Sequence, residues 1–164
     1  MHLNIIELPQ FTPEFCESVV AQLDAYDDKR FTDRSGGMTL ARTVDGTGAS
    51  YRSMVNLDIP KPIRDALIEK APKLGSFLEE VIINRYNPGD FIPKHLDTHH
   101  YPKFCVIPLV ESGDGFSAYF DGANGEETFI EDIIGNGIVV SGTKLVHAVR
   151  PVQHKRYVVM YLYL

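Results

Sequence analysis

Cysteine is scarce in this chain: Cys16 and Cys105 are its only two in 164 residues. Two cysteines without metal-type spacing supply neither a disulfide framework nor a thiolate metal site. Both sit in apolar surroundings that suit small buried hydrophobes. No apolar run approaches the roughly 20 residues of a membrane span, and Met1 to Gln10 lacks the basic and apolar regions of a secretory signal. These absences lead us to expect a soluble protein of a reducing, cytoplasmic setting with no membrane partner. Positive charge is also in deficit, with 16 Lys and Arg against 22 Asp and Glu and a formal charge of −6. A broad nucleic-acid footprint usually needs the opposite balance. A local groove stays open, because Arg30, Arg34, Arg42 and Arg52 fall in one irregular stretch.

What is present is an ordinary globular composition, 44% hydrophobic and 23% charged, at a length that predicts one domain over residues 1–164. Thr12-Pro13-Glu14 is a helix start: a capping hydroxyl, Pro at the first helical position and an acid in the first turn. Phe15, Val19, Val20 and Leu23 follow at helical spacing, predicting an amphipathic helix over 13–27. Ile63, Leu67 and Ile68 predict a second helix over 62–71, and 74–80 reads as a further short one. Between the first two, 27–53 is polar and Gly-rich. Some of it can pair as strands, but its length reads as a mobile lid.

After residue 80 the texture changes. Short apolar runs at 81–86, 104–110, 116–120, 137–140 and 156–164 are punctuated by Gly, Asp, Asn and Pro. Helices followed by many short strands predict a mostly β, α+β chain: a jelly roll with helices packed on one sheet. Residues 1–80 then form helical support and lid, and 81–164 the core.

The strand region carries the chemistry. Residues two apart on a strand share a face, so His95 and Asp97 can reach one metal ion. Two ligands are too few, and His147 in Thr143-Lys144-Leu145-Val146-His147 is a suitable third. Two His and one carboxylate form the facial triad that holds Fe(II) and leaves positions open. His99 continues the His95-x-Asp97-x-His99 alternation and competes with His147, although Thr98 to Pro102 looks more like a turn, which would place His99 and His100 at the site mouth. Without a third ligand, His95 and Asp97 read as exposed residues beside a turn. Arg156 heads the face Arg156, Val158, Met160, Leu162, Leu164. It either reaches solvent from the strand end or, if buried, requires a carboxylate partner.

The order Tyr86-x-x-Gly89, His95-x-Asp97, His147, Arg156 resembles the Fe(II)/2-oxoglutarate-dependent dioxygenases, over about Val81 to the C-terminus. The resemblance implies a double-stranded β-helix holding Fe(II) through His95, Asp97 and His147. It also implies 2-oxoglutarate and O2 as co-substrates, the distal carboxylate of 2-oxoglutarate anchored on Arg156. Tyr86 and Asn84 would add hydrogen bonds to the co-substrate, against a reading of Tyr86 as ordinary core. The reaction implied is C–H hydroxylation coupled to oxidative decarboxylation of 2-oxoglutarate to succinate and CO2.

Two branches are echoed. Asn84-x-Tyr86-x-Pro88-Gly89 resembles AlkB-type nucleic-acid demethylases, but those carry a second Arg six residues after the anchor, where this chain has Leu162. His147 to Val152 with Arg156-Tyr157 is closer to prolyl-hydroxylase-type domains, although their Gly-Gly-Glu-Thr is replaced by Gly113-Asp114-Gly115-Phe116. The acidic composition and the C-terminal segment favour a hydroxylase of a polypeptide or small molecule over a nucleic-acid enzyme. A cupin-like metal-binding module without catalysis is a further class, and Arg156 speaks against it, since such a module needs no carboxylate anchor.

Overall fold

The computed structural model describes residues 2–5, 9–35, 41–43, 48–97 and 102–164, without the side chains of residues 5 and 41–43. The Thr12 signal operates as read. Its hydroxyl accepts the Phe15 N–H at 3.1 Å, and helix α1 runs Pro13–Asp24, burying Cys16, Val19 and Leu23. Helix α2, Lys61–Glu69, buries Ile63 and Leu67. Ile68, one 100° step round the helix from Leu67, is exposed instead.

Among the described residues twelve strands follow in order: β1 Leu3–Ile5, β2 Thr32–Asp33, β3 Ala41–Thr43, β4 Arg52–Val55, β5 Leu78–Tyr86, β6 Ile92–Asp97, β7 Lys103–Pro108, β8 Gly115–Tyr119, β9 Thr128–Glu131, β10 Ile138–Val140, β11 Val146–Val149 and β12 Arg156–Tyr163. They form a seven-stranded sheet, β1-β10-β7-β12-β5-β4-β2, and a five-stranded sheet, β3-β6-β11-β8-β9. This is the jelly roll with helices on one sheet. Four strands come from before residue 78, so the boundary expected at residue 80 does not separate helical support from sheet. The short helix expected at 74–80 does not form: Leu78 already pairs with Tyr163 as β5 begins. Pairing along the whole of β12 outweighs local propensity there.

Strand β12 shows how the layers are built. Tyr157, Val159, Tyr161 and Tyr163 face the helices and pack with Cys16, Leu23, Ile63 and Leu67. Their hydroxyls are not left unpaired: Tyr161 donates to Leu67 O at 2.6 Å, Tyr163 to Pro72 O at 2.5 Å and Tyr157 to Asp24 Oδ1 at 2.7 Å. Val158 and Leu162, on the alternate face, join Tyr86, Phe104, Val106, Phe116 and Ala118 between the two sheets. The outer face of the large sheet is therefore support, and the space between the sheets is where a site can be placed.

Arg85 binds the first helix to this frame. Its guanidinium donates to Leu23 O at 2.6 Å and to Tyr26 O at 2.9 Å, pairs with Asp28 at 3.1 Å, and lies 3.9 Å from the Phe31 ring centroid. The first two bonds hold the last turn of α1 and the residues just after it, where carbonyls lack the regular helical partner.

Candidate metal centre

His95 on β6 and His147 on β11 are cross-strand partners in the five-stranded sheet. Both project into the inter-sheet space, and their ring centroids are 4.1 Å apart. Asp97, two residues along β6, points the same way. Its Oδ1 lies 3.3 Å from His95 Nε2 and 3.5 Å from His147 Nε2. One ligand atom from each residue can be chosen so that all three lie within 4.8 Å of one another.

The backbone selects the useful tautomer of both imidazoles. His95 Nδ1 meets Pro93 O at 2.8 Å, and His147 Nδ1 meets Leu145 O at 2.7 Å. A carbonyl oxygen can only accept, so each Nδ1 carries the proton and each Nε2 offers a lone pair to the centre. This is the outer partner that metal-binding histidines ordinarily have. Burial pushes the His95 pKa down, with Asp97 opposing it, which favours the neutral ring. Burial alone would raise the Asp97 carboxyl, but the His147 and His95 rings beside it outweigh that and hold the group well below the usual carboxylate range. Two neutral imidazoles and one carboxylate suit a divalent metal such as Fe(II).

Close packing keeps Asp97 in place. Its N–H donates to Gly142 O at 2.9 Å. A Cβ at residue 142 would fall 1.9 Å from Asp97 Oδ2, so glycine here lets the carboxylate keep its position. Phe116 stacks on His147 at 5.5 Å and Phe104 flanks it at 5.6 Å, giving a dry wall on one side. Both imidazoles are almost fully buried, whereas the Asp97 side chain keeps 22% of its exposure, so solvent reaches the triad past the carboxylate.

The other expected residues fall along the neighbouring sheet. Tyr86 is buried and stacks on Tyr51, with centroids 5.6 Å apart. Burial raises the Tyr86 hydroxyl pKa, so it stays protonated and able to donate. The Asn84 amide donates to Met160 Sδ at 3.2 Å, while its Oδ1 is buried without a partner. Arg156 is 1% exposed and lies 5.0 Å over the Tyr86 ring. The reading in which it reaches solvent is thus overturned: it points into the barrel and requires an anion. That anion is provided from within the chain. Asp132, 3% exposed at its side chain, receives bonds from Arg156 Nε at 2.7 Å and Nη2 at 3.1 Å.

Asp132 was not identified from the sequence. Its only signal was the burial requirement of Arg156, which a carboxylate anywhere in the chain could meet. Tyr51 was also missed as a wall of the site. Both Arg34 and Asp97 act electrostatically on its hydroxyl, although burial dominates and raises its pKa. His99 and His100 lie outside the described residues, so the structure does not compare them with His147. His154 is exposed in the turn before β12, and His2 is exposed near the N-terminus.

The polar stretch expected as a lid is partly sheet. Strand β3 pairs directly with β6, Thr43 opposite His95 and Ala41 opposite Asp97, so this segment borders the triad. Residues 36–40 and 44–47 lie outside the described set. Three of its arginines have partners within the chain. Arg30 lies 5.0 Å over the Tyr26 ring, Arg34 donates to Ser53 at 2.8 Å and Arg52 pairs with Asp28 at 3.7 Å. The Arg42 side chain is not described.

No family model and no curated protein sequence matches the chain. Solved structures do share its fold. A prolyl-4-hydroxylase from Pseudomonas putida aligns with a TM-score of 0.70 at 16% identity, over 99% of this chain and 93% of that one. A 2OG-Fe(II) oxygenase family oxidoreductase from Burkholderia pseudomallei gives 0.69 at 18%, covering 99% and 84%. The collagen prolyl hydroxylase of Paramecium Bursaria Chlorella virus-1, in its 2OG complex, gives 0.60 at 15%, covering 99% and 95%. At these identities the likeness is one of fold, and it extends over the whole chain, beyond the half that carries the motif.

Proposed function

We propose that this chain is a single-domain Fe(II)- and 2-oxoglutarate-dependent dioxygenase that hydroxylates a C–H bond of a polypeptide or small-molecule substrate. The observation that carries the reading is the convergence of His95, Asp97 and His147. Two Nε2 atoms and a carboxylate oxygen meet on one face, with their tautomers set by backbone carbonyls and solvent access on one side. The fold shared with prolyl hydroxylases and 2OG-Fe(II) oxygenases supports it.

In this reading His95, Asp97 and His147 hold Fe(II). The metal and its co-substrates 2-oxoglutarate and O2 supply the oxidative chemistry, with succinate and CO2 as the co-products. The chain binds, orients and excludes water. Arg156 presents a guanidinium to the distal carboxylate of 2-oxoglutarate, and Tyr86 offers a hydroxyl donor beside it. Asn84 lines the same strand face. Phe104 and Phe116 keep water off one side of His147. Tyr51 stacks on Tyr86 and its hydroxyl feels the Asp97 charge, which puts it on the side where substrate would approach.

A reducing, cytoplasmic setting suits Fe(II) and the two thiols, which burial pushes up to about 11 for Cys16 and about 12 for Cys105. Both stay protonated at neutral pH and are poor metal ligands. Among the described residues no helix is long and apolar enough to cross a membrane.

Succinate release from 2-oxoglutarate with added Fe(II), screened over Pro- and Lys-containing peptides, tests the proposal. Turnover stimulated by a peptide supports the hydroxylase reading. Formaldehyde release from a methylated oligonucleotide, bound with a steep salt dependence, would replace it with the AlkB-like alternative. Metal binding with no turnover under any condition would leave the cupin-like module.

A further inference from the structure

Arg156 carries a positive charge into the inter-sheet space with essentially no exposure of its own. Asp132 holds one edge of the guanidinium, Nε and Nη2, in a two-point pair. The arrangement is braced: Asp132 N–H donates to Asp114 O at 2.9 Å, and the Asp114 carboxylate accepts from Ser112 Oγ at 2.8 Å and from Gln153 N at 2.9 Å. Asp114 therefore fixes both the Asp132 backbone and the turn that leads into β12. Nη1 of Arg156 has no acceptor among the described residues, and a cleft lined by Val106, Phe116, Ile138 and Asn136 runs beside it.

The charge around this guanidinium is not that of an empty anchor. Asp132 already neutralises it, and Asp114 adds a second negative influence on both partners. An anion arriving at the free edge would be the second carboxylate on one cation, in a dry space where like charges repel strongly. Burial pushes the Asp132 carboxyl upward, as expected for an anion in that position.

Resting on the reading that Arg156 anchors the distal carboxylate of 2-oxoglutarate, we propose that Asp132 is a specificity-determining residue that shares the guanidinium with the co-substrate and weakens the preference for a dicarboxylate. A 2-oxo acid whose far end is uncharged gains nothing from Arg156 and suffers no repulsion from Asp132. The two classes therefore bind more evenly than at an uncompensated anchor.

The test is calorimetric binding to the full chain loaded with Mn(II), using 2-oxoglutarate and its 5-methyl ester, for the parent, Asp132→Asn and Arg156→Gln. The parent should prefer the dicarboxylate by about tenfold or less, and Asp132→Asn should raise that preference by about tenfold or more through tighter dicarboxylate binding alone. An unchanged or smaller preference in Asp132→Asn overturns the proposal and marks Asp132 as an orienting residue. Arg156→Gln separates the two levels. If it binds 2-oxoglutarate as the parent does, the anchor reading itself fails; if it loses binding while Asp132→Asn gains none, only the sharing fails. Should Asp132→Asn not fold, the parent decides, and a preference above about tenfold overturns the proposal.

Discussion

His95 and His147 face each other across neighbouring antiparallel strands, and each turns its Nδ1 onto the carbonyl two residues before it in the chain. The two rings are thus oriented by the same local device repeated on two strands. It makes the centre preorganised, because neither ring has to rotate or change tautomer to offer Nε2.

Asp97→Ala should remove the one charged ligand while leaving the sheet intact, since the Asp97 backbone bond to Gly142 remains. Loss of an outer-shell partner typically costs about 10–100-fold in metal affinity, and loss of this carboxylate should exceed that. Calorimetric titration with Mn(II) reads the effect. Affinity equal to the parent would refute Asp97 as a ligand.

Gly142→Ala tests the same carboxylate from the other side. The new methyl would overlap Asp97 Oδ2, so either the carboxylate or the turn must move. Metal affinity should fall by about 10–100-fold, the range for disturbed outer-shell support. Far-UV circular dichroism should stay native. A variant that binds metal as tightly as the parent would show that Asp97 does not depend on this close approach.

Arg156→Ala should be strongly destabilising, because it leaves the Asp132 carboxylate buried without its cation. Breaking a buried pair on one side costs about 3–5 kcal/mol. Arg156→Lys keeps the charge and loses the planar two-point fork, so it should fall between the two. Denaturant unfolding of the metal-free proteins measures both. A loss below about 1 kcal/mol in Arg156→Ala would mean that Asp132 finds another partner or is protonated.

Leu67→Ala should separate support from chemistry. Leu67 is fully buried in the helix layer, on the face of the large sheet opposite to the triad. The cavity should cost about 2–5 kcal/mol of stability. Mn(II) affinity should hold within about twofold, as expected of sites that share no contacts. A larger change in affinity would show that the helix layer couples to the centre.

Much of this protein is legible in its residue order. Thr12-Pro13 starts a helix because the capping hydroxyl and the preset proline angle act within one turn. The spacing of His95 and Asp97 places them on one face because a strand repeats every two residues. Both are short-range effects, decided by a few neighbouring bonds. The pairing of His147 with His95, the burial of Arg156 and its capture by Asp132 depend on which strands lie side by side. That choice rests on hydrogen-bond ladders and apolar contacts between residues far apart in the chain. Residues 74–80 show the same limit, since their helical appearance gave way to the register imposed by β12. The sequence alone thus determined the candidate ligand types and their local spacing. Only the tertiary structure decided which charge meets which, because a buried guanidinium specifies that it needs a carboxylate and not where in the chain that carboxylate lies.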